Sequence, residues 1–372
     1  MDKRTSQIED ISLLIIMEKR KTFVNLLSNF RYKILNTKWT KLKLIIMEED
    51  EFDWHVAEDP ADWRHVRYDP EWYDYTASVA IDRPEEMNAY VLGTLKELCA
   101  GFERAMGDES VQFIVLTGTG EKAFCTGGSV TEYSQKYNRQ PWKFREWGEY
   151  YGRVFDLILH CGKPVIARIN GAVAGGGWEF VSCCDLALAV EYAKFISPGP
   201  RVGMTSIGGL SQWLPLHTSV KKSAEMVLLS SEVSAEEAVK QGFINDVASA
   251  EELDDMLREK YIDTMKNLSP SSLWYYKVQH NWWKDLVWRL TWEHGKAWFA
   301  LNMGSVEPSE GLWAFKEKRD PEMEKIREMV SKGLDPRVPY GPFISKCSEC
   351  GAEYIAEKSK YCPECGAELS KD

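Results

Sequence analysis

The stretch KPVIARINGAVAGGGWEF, residues 163–180, constrains this chain more than any other. Its first seven residues have the composition of a buried strand bounded by a turn. Its end places three consecutive glycines directly ahead of Trp178, Glu179 and Phe180. Glycine is costly to order, and a run of it is tolerated where the backbone must adopt positive φ or approach another group closely. A strand that passes through glycines into a helix is half of a β-α unit. Comparable strand signals recur at TASVAI (76–81), QFIVLTG (112–118) and DLALAV (185–190), and residues 90–106 carry helical periodicity. Ser234 with Glu237 forms a capping box, and Gly242 would stop that helix ahead of FINDV. The alternation predicts an α/β core.

A second segment, KAFCTGGS (122–129), shares the design of a short strand running into glycines. A helix N-terminus presents unpaired N–H groups and partial positive charge. Two such N–H groups aimed at one point would polarise a carbonyl and stabilise an enolate. By composition alone each segment is also simply a glycine turn. Neither is a G-x-G-x-x-G placed for a dinucleotide.

The net charge of −11 argues against nucleic acid and anionic membrane surfaces as partners. No apolar run reaches the roughly 20 residues of a membrane span. ISLLIIM (11–17) is followed by charge and not by a cleavage site, so the expectation is a cytoplasmic protein without a signal peptide. Residues 1–46 hold ten Lys and Arg against four Asp and Glu, and Met47 then opens an acidic stretch. We expect 1–46 to be an upstream extension that the native protein need not carry, with a genuine basic arm as the alternative. Residues 47–74 read as an acidic, aromatic segment before the core, packed along its surface. Beyond about 249 the chain becomes helical to 332 and rich in tryptophan (274, 282, 283, 288, 292, 298 and 313), expected to pack in the core and between subunits. Three prolines within 333–343 mark a linker extending to 346.

The segments RPEEMNAY, KAFCTGG, KPVIARINGAVAGGGWEF and CDLALAVEYAKF, in this order, resemble the crotonase (enoyl-CoA hydratase/isomerase) superfamily over roughly residues 75–330. The resemblance implies a spiral of β-β-α turns, with the core over 75–248 and C-terminal helices over 249–332 that trimerise, as a trimer or a hexamer. It implies an acyl-CoA thioester as substrate, bringing CoA with it, and makes the N–H groups of Gly128 and Gly176 the oxyanion donors. Lys122, Ala123 and Phe124 would lie near the CoA moiety. Ser129, Glu132 and Tyr133, just past the first glycine segment, and Thr205 and Ser206 in a later loop, are candidates for the acyl pocket. His160 and His217 read as structural, and Asp185 as a core hydrogen-bonding group.

Hydratases that resemble this chain handle one water with two glutamates. The first matches Glu179; the second falls at Gly199, where there is no carboxylate. An acid role for Glu179 needs its pKa raised by a dry setting, which Trp178 and Phe180 could supply. The GPRVG form at 199–203 is similar to two ring-chemistry branches, the naphthoyl-CoA synthase group and the 6-oxocyclohex-1-ene-1-carbonyl-CoA hydrolases of benzoyl-CoA breakdown. AFCTGGSVTEY, ILHCGKPVI, GGGWE, IGGLSQWLPL and TWEHGKAWFALNM resemble the second more, although Val202 stands where that branch leads one to expect histidine. The expected reaction is then water addition to a cyclic enoyl-CoA followed by hydrolytic ring opening. Hydration or isomerisation of another acyl-CoA, and a non-catalytic binding protein, remain the alternatives.

At the C-terminus, Cys347, Cys350, Cys362 and Cys365 form two C-x-x-C-G knuckles eleven residues apart. Four thiolates at this spacing predict a zinc ribbon over 347–372 with a closed, structural Zn²⁺ site, iron being second choice. Such a ribbon would serve to dock a protein partner or a neighbouring subunit.

Overall fold

The computed structural model describes residues 55–333, 335, 347–352, 361–362 and 365–369. The expected extension at 1–46 and nearly all of the linker at 333–346 lie outside the described residues. Strands β1 (Val66–Tyr73) and β2 (Thr76–Ile81) form a hairpin followed by helix α1 (Leu92–Gly107). Then come β3 (Phe113–Gly118), β4 (Ala123–Cys125), α2 (Pro141–His160), β5 (Val165–Ile169), β6 (Ala172–Ala174), α3 (Gly176–Cys183), β7 (Leu186–Val190) and β8 (Lys194–Ile196). After α4 (Val220–Leu228), β9 (Val233–Ser234), α5 (Ala235–Gln241) and β10 (Asp246–Ala248), the chain is helical, with α6 (Pro270–Met303), α7 (Val306–Glu317) and α8 (Met323–Ser331).

The strands divide between two sheets, in the orders β1-β2-β3-β5-β7-β10 and β4-β6-β8-β9. Each of the consecutive pairs β3/β4, β5/β6 and β7/β8 gives one strand to each sheet, which is the expected spiral of β-β-α turns. Within the larger sheet β2, β3, β5, β7 and β10 are parallel, with Val79 beside Leu116, Leu116 beside Ala167, and Ala167 beside Ala187. The central strands β2 and β3 are buried at every position, as parallel strands covered on both faces must be. Gly242 ends α5 in the left-handed region, and the Ser234 hydroxyl accepts from the Glu237 N–H, as the sequence indicates.

One expectation needs correction. Residues 66–73, placed before the core, form the edge strand β1, paired antiparallel with β2. Pro70 lies where the register shifts between Asp69 and Tyr73, the kind of edge position where proline is tolerated. The tryptophans of α6 divide between core and surface. Trp288 is buried against Trp213 and Phe155, but Trp274, Trp282, Trp283 and Trp298 are exposed. The buried stripe of α6 instead carries Lys277, Asn281, Lys284 and Lys296 beside Trp288. Their polar ends are satisfied within the fold: Lys277 pairs with Asp185 at 2.8 Å, and Lys284 donates to the carbonyls of Cys183 and Cys184 at 2.8 and 3.0 Å. The second of these contacts places a cation at the C-terminal end of α3, where the helix dipole favours it. No helix among the described residues is long and apolar enough to cross a membrane.

Candidate active site

Because β4 and β6 are parallel neighbours, the two glycine segments leave the smaller sheet side by side. Gly127 (φ +90°) and Gly175 (φ +50°) adopt conformations that side chains resist. A β-carbon on Gly127 would lie 3.1 Å from the Ala174 carbonyl and 3.3 Å from the Gly176 nitrogen, so the segments touch. Gly176 opens α3, and its N–H has no acceptor within the helix. Gly128 bridges Tyr90 through its neighbours: Tyr90 N–H donates to Gly127 O at 2.9 Å and Ser129 N–H to Tyr90 O at 2.8 Å. That pattern leaves the Gly128 N–H outside the ladder. The triple glycine therefore has three separate causes. Gly175 turns the chain, a β-carbon on Gly176 would overlap the Tyr90 hydroxyl, and one on Gly177 would overlap the Cys125 carbonyl.

Glu179 follows within the first turn of α3 and is only 3% exposed. Its carboxylate accepts from the hydroxyls of Tyr151 and Ser206 and, at 2.9 Å, from the Gly208 N–H. Gly208 can come this close because it has no side chain: its β-carbon would sit 2.6 Å from Glu179 Oε2 and 2.7 Å from both Phe155 and Tyr151. Burial raises the Glu179 pKa, and the hydrogen bonds to its carboxylate offset this only in part. The dry setting comes from Phe180, whose ring packs against Tyr90, Tyr151 and Phe155. Trp178 does not contribute as expected, since it faces Phe195 and Phe243 on the other side of α3.

Tyr90 and Tyr151 are site residues that sequence reasoning passed over. Tyr90 precedes α1, and Tyr151 lies midway along α2 beside Trp147. The hydroxyls of Tyr90 and Tyr151 converge on the β-carbon position of Gly176, that of Tyr133 lies at the β-carbon position of Gly128, and Tyr151 donates to Glu179. Burial pushes all three phenols above their ordinary value, so they remain protonated at neutral pH. The available signal was the apolar spacing Trp147, Tyr151, Phe155 on α2, which reads equally well as ordinary core.

These groups line a cavity of about 730 Å³, together with Ser129, Thr205, Ser206 and Gly199. Glu86 also lines it, but is exposed and paired with Arg83 at 2.7 Å. Lys122, Ala123 and Phe124 are not among the lining residues. Ala123 and Phe124 are buried in β4, and the Ala123 carbonyl accepts from Asn88 and Asn170. Glu132 is turned to the Leu92 N–H, 3.0 Å away. His217 donates to the Ser182 carbonyl, and His160 contacts Asp285 on α6, so neither borders the cavity. At Gly199 a β-carbon would lie 2.7 Å from the Met204 carbonyl, so the loop leaves no room for a second glutamate.

In the C-terminal module the four cysteine sulfurs lie within 4.8 Å of one another. Cys347 and Cys365 are 3.7 Å apart and Cys350 and Cys362 are 3.6 Å apart, close to the ~3.8 Å edge of a tetrahedral ZnS₄ unit. The two knuckles match: Gly351 N–H donates to Cys347 O at 2.8 Å and Gly366 N–H to Cys362 O at 2.9 Å. The donor set and spacing fit a tetrahedral thiophilic metal.

The sequence profile of the enoyl-CoA hydratase/isomerase family matches residues 73–326. The chain belongs to this family. Two curated relatives named 6-oxocyclohex-1-ene-1-carbonyl-CoA hydrolase are similar to this member. That of Geobacter metallireducens is 37% identical over 47% of this chain and 46% of its own length. That of Thauera aromatica is 31% identical over 51% and 52%. The aligned part thus spans about half the length of these relatives. An enoyl-CoA hydratase structure from Mycobacterium avium superposes with a TM-score of 0.61 at 26% identity, covering 69% of this chain and 98% of that one.

Proposed function

We propose that this family member adds water to a cyclic enoyl-CoA and opens the ring by hydrolysis, with 6-oxocyclohex-1-ene-1-carbonyl-CoA as its model substrate. The observation that carries this reading is a single buried carboxylate, Glu179, beside two adjoining glycine N–H groups, in a site whose Gly199 loop excludes the second glutamate of a simple hydratase. The names of the curated relatives support the ring substrate.

In the first half-reaction, a water oxygen bonds to the ring carbon β to the thioester. The displaced π electrons move to the thioester oxygen, held by Gly128 and Gly176, and the α-carbon then takes a proton. In the second, water adds to the ring ketone, the bond between that carbon and the α-carbon breaks, and its electrons form the same thioester enolate. One oxyanion site therefore serves both halves. Glu179, whose pKa burial raises above the ordinary carboxylate value, acts as acid and base.

We further assign Zn²⁺ to the four cysteines, as a closed structural site. The exposed tryptophans of α6 suit burial between copies of the chain in a trimer or hexamer, and the free thiols suit a cytoplasmic setting. The test is to offer the purified protein 6-oxocyclohex-1-ene-1-carbonyl-CoA, crotonyl-CoA and a cyclic dienoyl-CoA, and to follow products by mass. A product of the first ester heavier by two waters is expected. Turnover of crotonyl-CoA alone would make this a hydratase. Binding without turnover of any ester would make it a binding protein.

A further inference from the structure

The site has one buried acid but, on the reading above, two waters to activate at different ring carbons. The structure offers a route between the acid and a second point. A β-carbon on Gly128 would overlap the Tyr133 hydroxyl, and one on Gly176 would overlap that of Tyr90 and lie 2.7 Å from that of Tyr151. The three hydroxyls therefore run along the two glycine segments and end at Glu179, to which Tyr151 donates. All four residues line the cavity. Trp147, fully buried, supports the row from behind: its ring lies 6.2 Å from Tyr90, 5.4 Å from Tyr133 and 5.0 Å from Tyr151.

A phenol has one proton to donate. Tyr151 donates to Glu179, so once the neighbouring hydroxyls close into hydrogen bonds, Tyr90 donates to Tyr151 and Tyr133 to Tyr90. The row has a direction, and its outer oxygen, on Tyr133, keeps capacity to accept. We propose that Tyr133, Tyr90 and Tyr151 form a proton relay that lets Glu179 deprotonate a water beside Gly128, replacing the second glutamate that Gly199 excludes. The inference rests on the acyl-CoA reading above. Three hydrogen bonds of ordinary length extend the reach of the carboxylate by up to about 8 Å.

The proton balance is simple. The water O–H breaks toward Tyr133, each phenolic proton moves one place along the row, and the last arrives on Glu179. The water oxygen bonds to the substrate carbon, and the displaced electron pair goes to the thioester oxygen. Once Glu179 has passed its proton to the α-carbon, rotation of the three hydroxyls about their C–O bonds restores the row. None of the tyrosines ionises, in keeping with their burial.

The test uses Tyr90→Phe and Tyr133→Phe in the full chain, each alone and combined with Glu179→Gln. Enolate binding of acetoacetyl-CoA, read by ultraviolet absorbance, reports the two glycine N–H groups and an intact fold without the water step. Each single tyrosine variant is expected to lower kcat on the ring substrate by about 10²-fold or more, the usual scale of a positioned acid or base, with enolate binding preserved. Adding Tyr133→Phe to Glu179→Gln is expected to cost nothing further, because both cut the same path. Tyrosine variants that keep wild-type kcat, or losses that multiply in the double variant, would overturn the relay while leaving the acyl-CoA reading in place. A wild-type protein that neither binds acetoacetyl-CoA as its enolate nor turns over any ester would overturn that reading first.

Discussion

Gly208→Ala tests whether the position of the Glu179 carboxylate, and not merely its presence, determines activity. Gly208 has no need of positive φ, so alanine meets no backbone objection. The objection is spatial: the methyl would lie 2.6 Å from Glu179 Oε2 and 2.7 Å from both Phe155 and Tyr151. Carbon makes comfortable contact at about 3.5–4.0 Å, so these groups must retreat by roughly 1 Å. The aromatic rings are fully packed, and the carboxylate is the most mobile of the three. It is therefore expected to move off the Gly208 N–H, which now donates at 2.9 Å. A displacement of about 1 Å at a reacting centre can cost about 10²-fold in rate. Overpacking alone destabilises by about 1–3 kcal/mol. The assay is kcat/KM on the ring substrate with thermal unfolding in parallel, and Gly295→Ala is the control. At Gly295, within α6, a new β-carbon would meet nothing nearer than 3.8 Å. That substitution should raise stability by about 0.5–1 kcal/mol, through helix propensity, and spare activity. If Gly208→Ala retains wild-type kcat/KM and melting temperature, the tight seat of Glu179 has no functional meaning and the reasoning fails.

Glu179→Gln should lower kcat by about 10²–10⁴-fold while acetoacetyl-CoA still binds. Because burial raises the Glu179 pKa, the stability it favours is present below the ordinary value of 4.5 and lost as pH rises through the raised one. The glutamine variant should accordingly melt higher than wild type at pH 7, an advantage that disappears on acidification. His217 has the opposite sign: burial, and then Lys284, lowers its pKa from 6.5 to about 4. Its contribution is present above pH 6.5 and lost as pH falls toward 4, a change of about 3 kcal/mol that His217→Gln should remove from a pH titration of stability. Elemental analysis should find one zinc per chain, absent from Cys362→Ser. Replacing Trp282 and Trp283 with glutamate should reduce the mass measured by light scattering to that of one chain.

The parts of this site that were legible in sequence are the local ones. Both glycine segments and Glu179 lie within a few residues of a strand, so short-range pattern contained their geometry. Tyr90 and Tyr151 were not legible, because one precedes α1, the other lies in the middle of α2, and they meet only through tertiary packing. In α6 the inward stripe is lysine and asparagine and several tryptophans face outward. That inverts the usual amphipathic reading, and only the carbonyls and carboxylates receiving each lysine explain it. β1 was hidden by its acidic residues and Pro70, which suit an edge strand but erase the alternation expected of a paired one. The cysteine knuckles needed only spacing.

The loop at Gly199 also bears on how such a site can change over evolutionary time. Its β-carbon position is occupied by the Met204 carbonyl, 2.7 Å away. A single codon change there cannot install a usable glutamate, because any side chain would have to displace main chain. Conversion to a two-carboxylate hydratase would require the turn from 199 to 204 to shift as well. In a lineage carrying this turn, selection can refine the hydroxyl-rich site far more readily than it can restore a second acid.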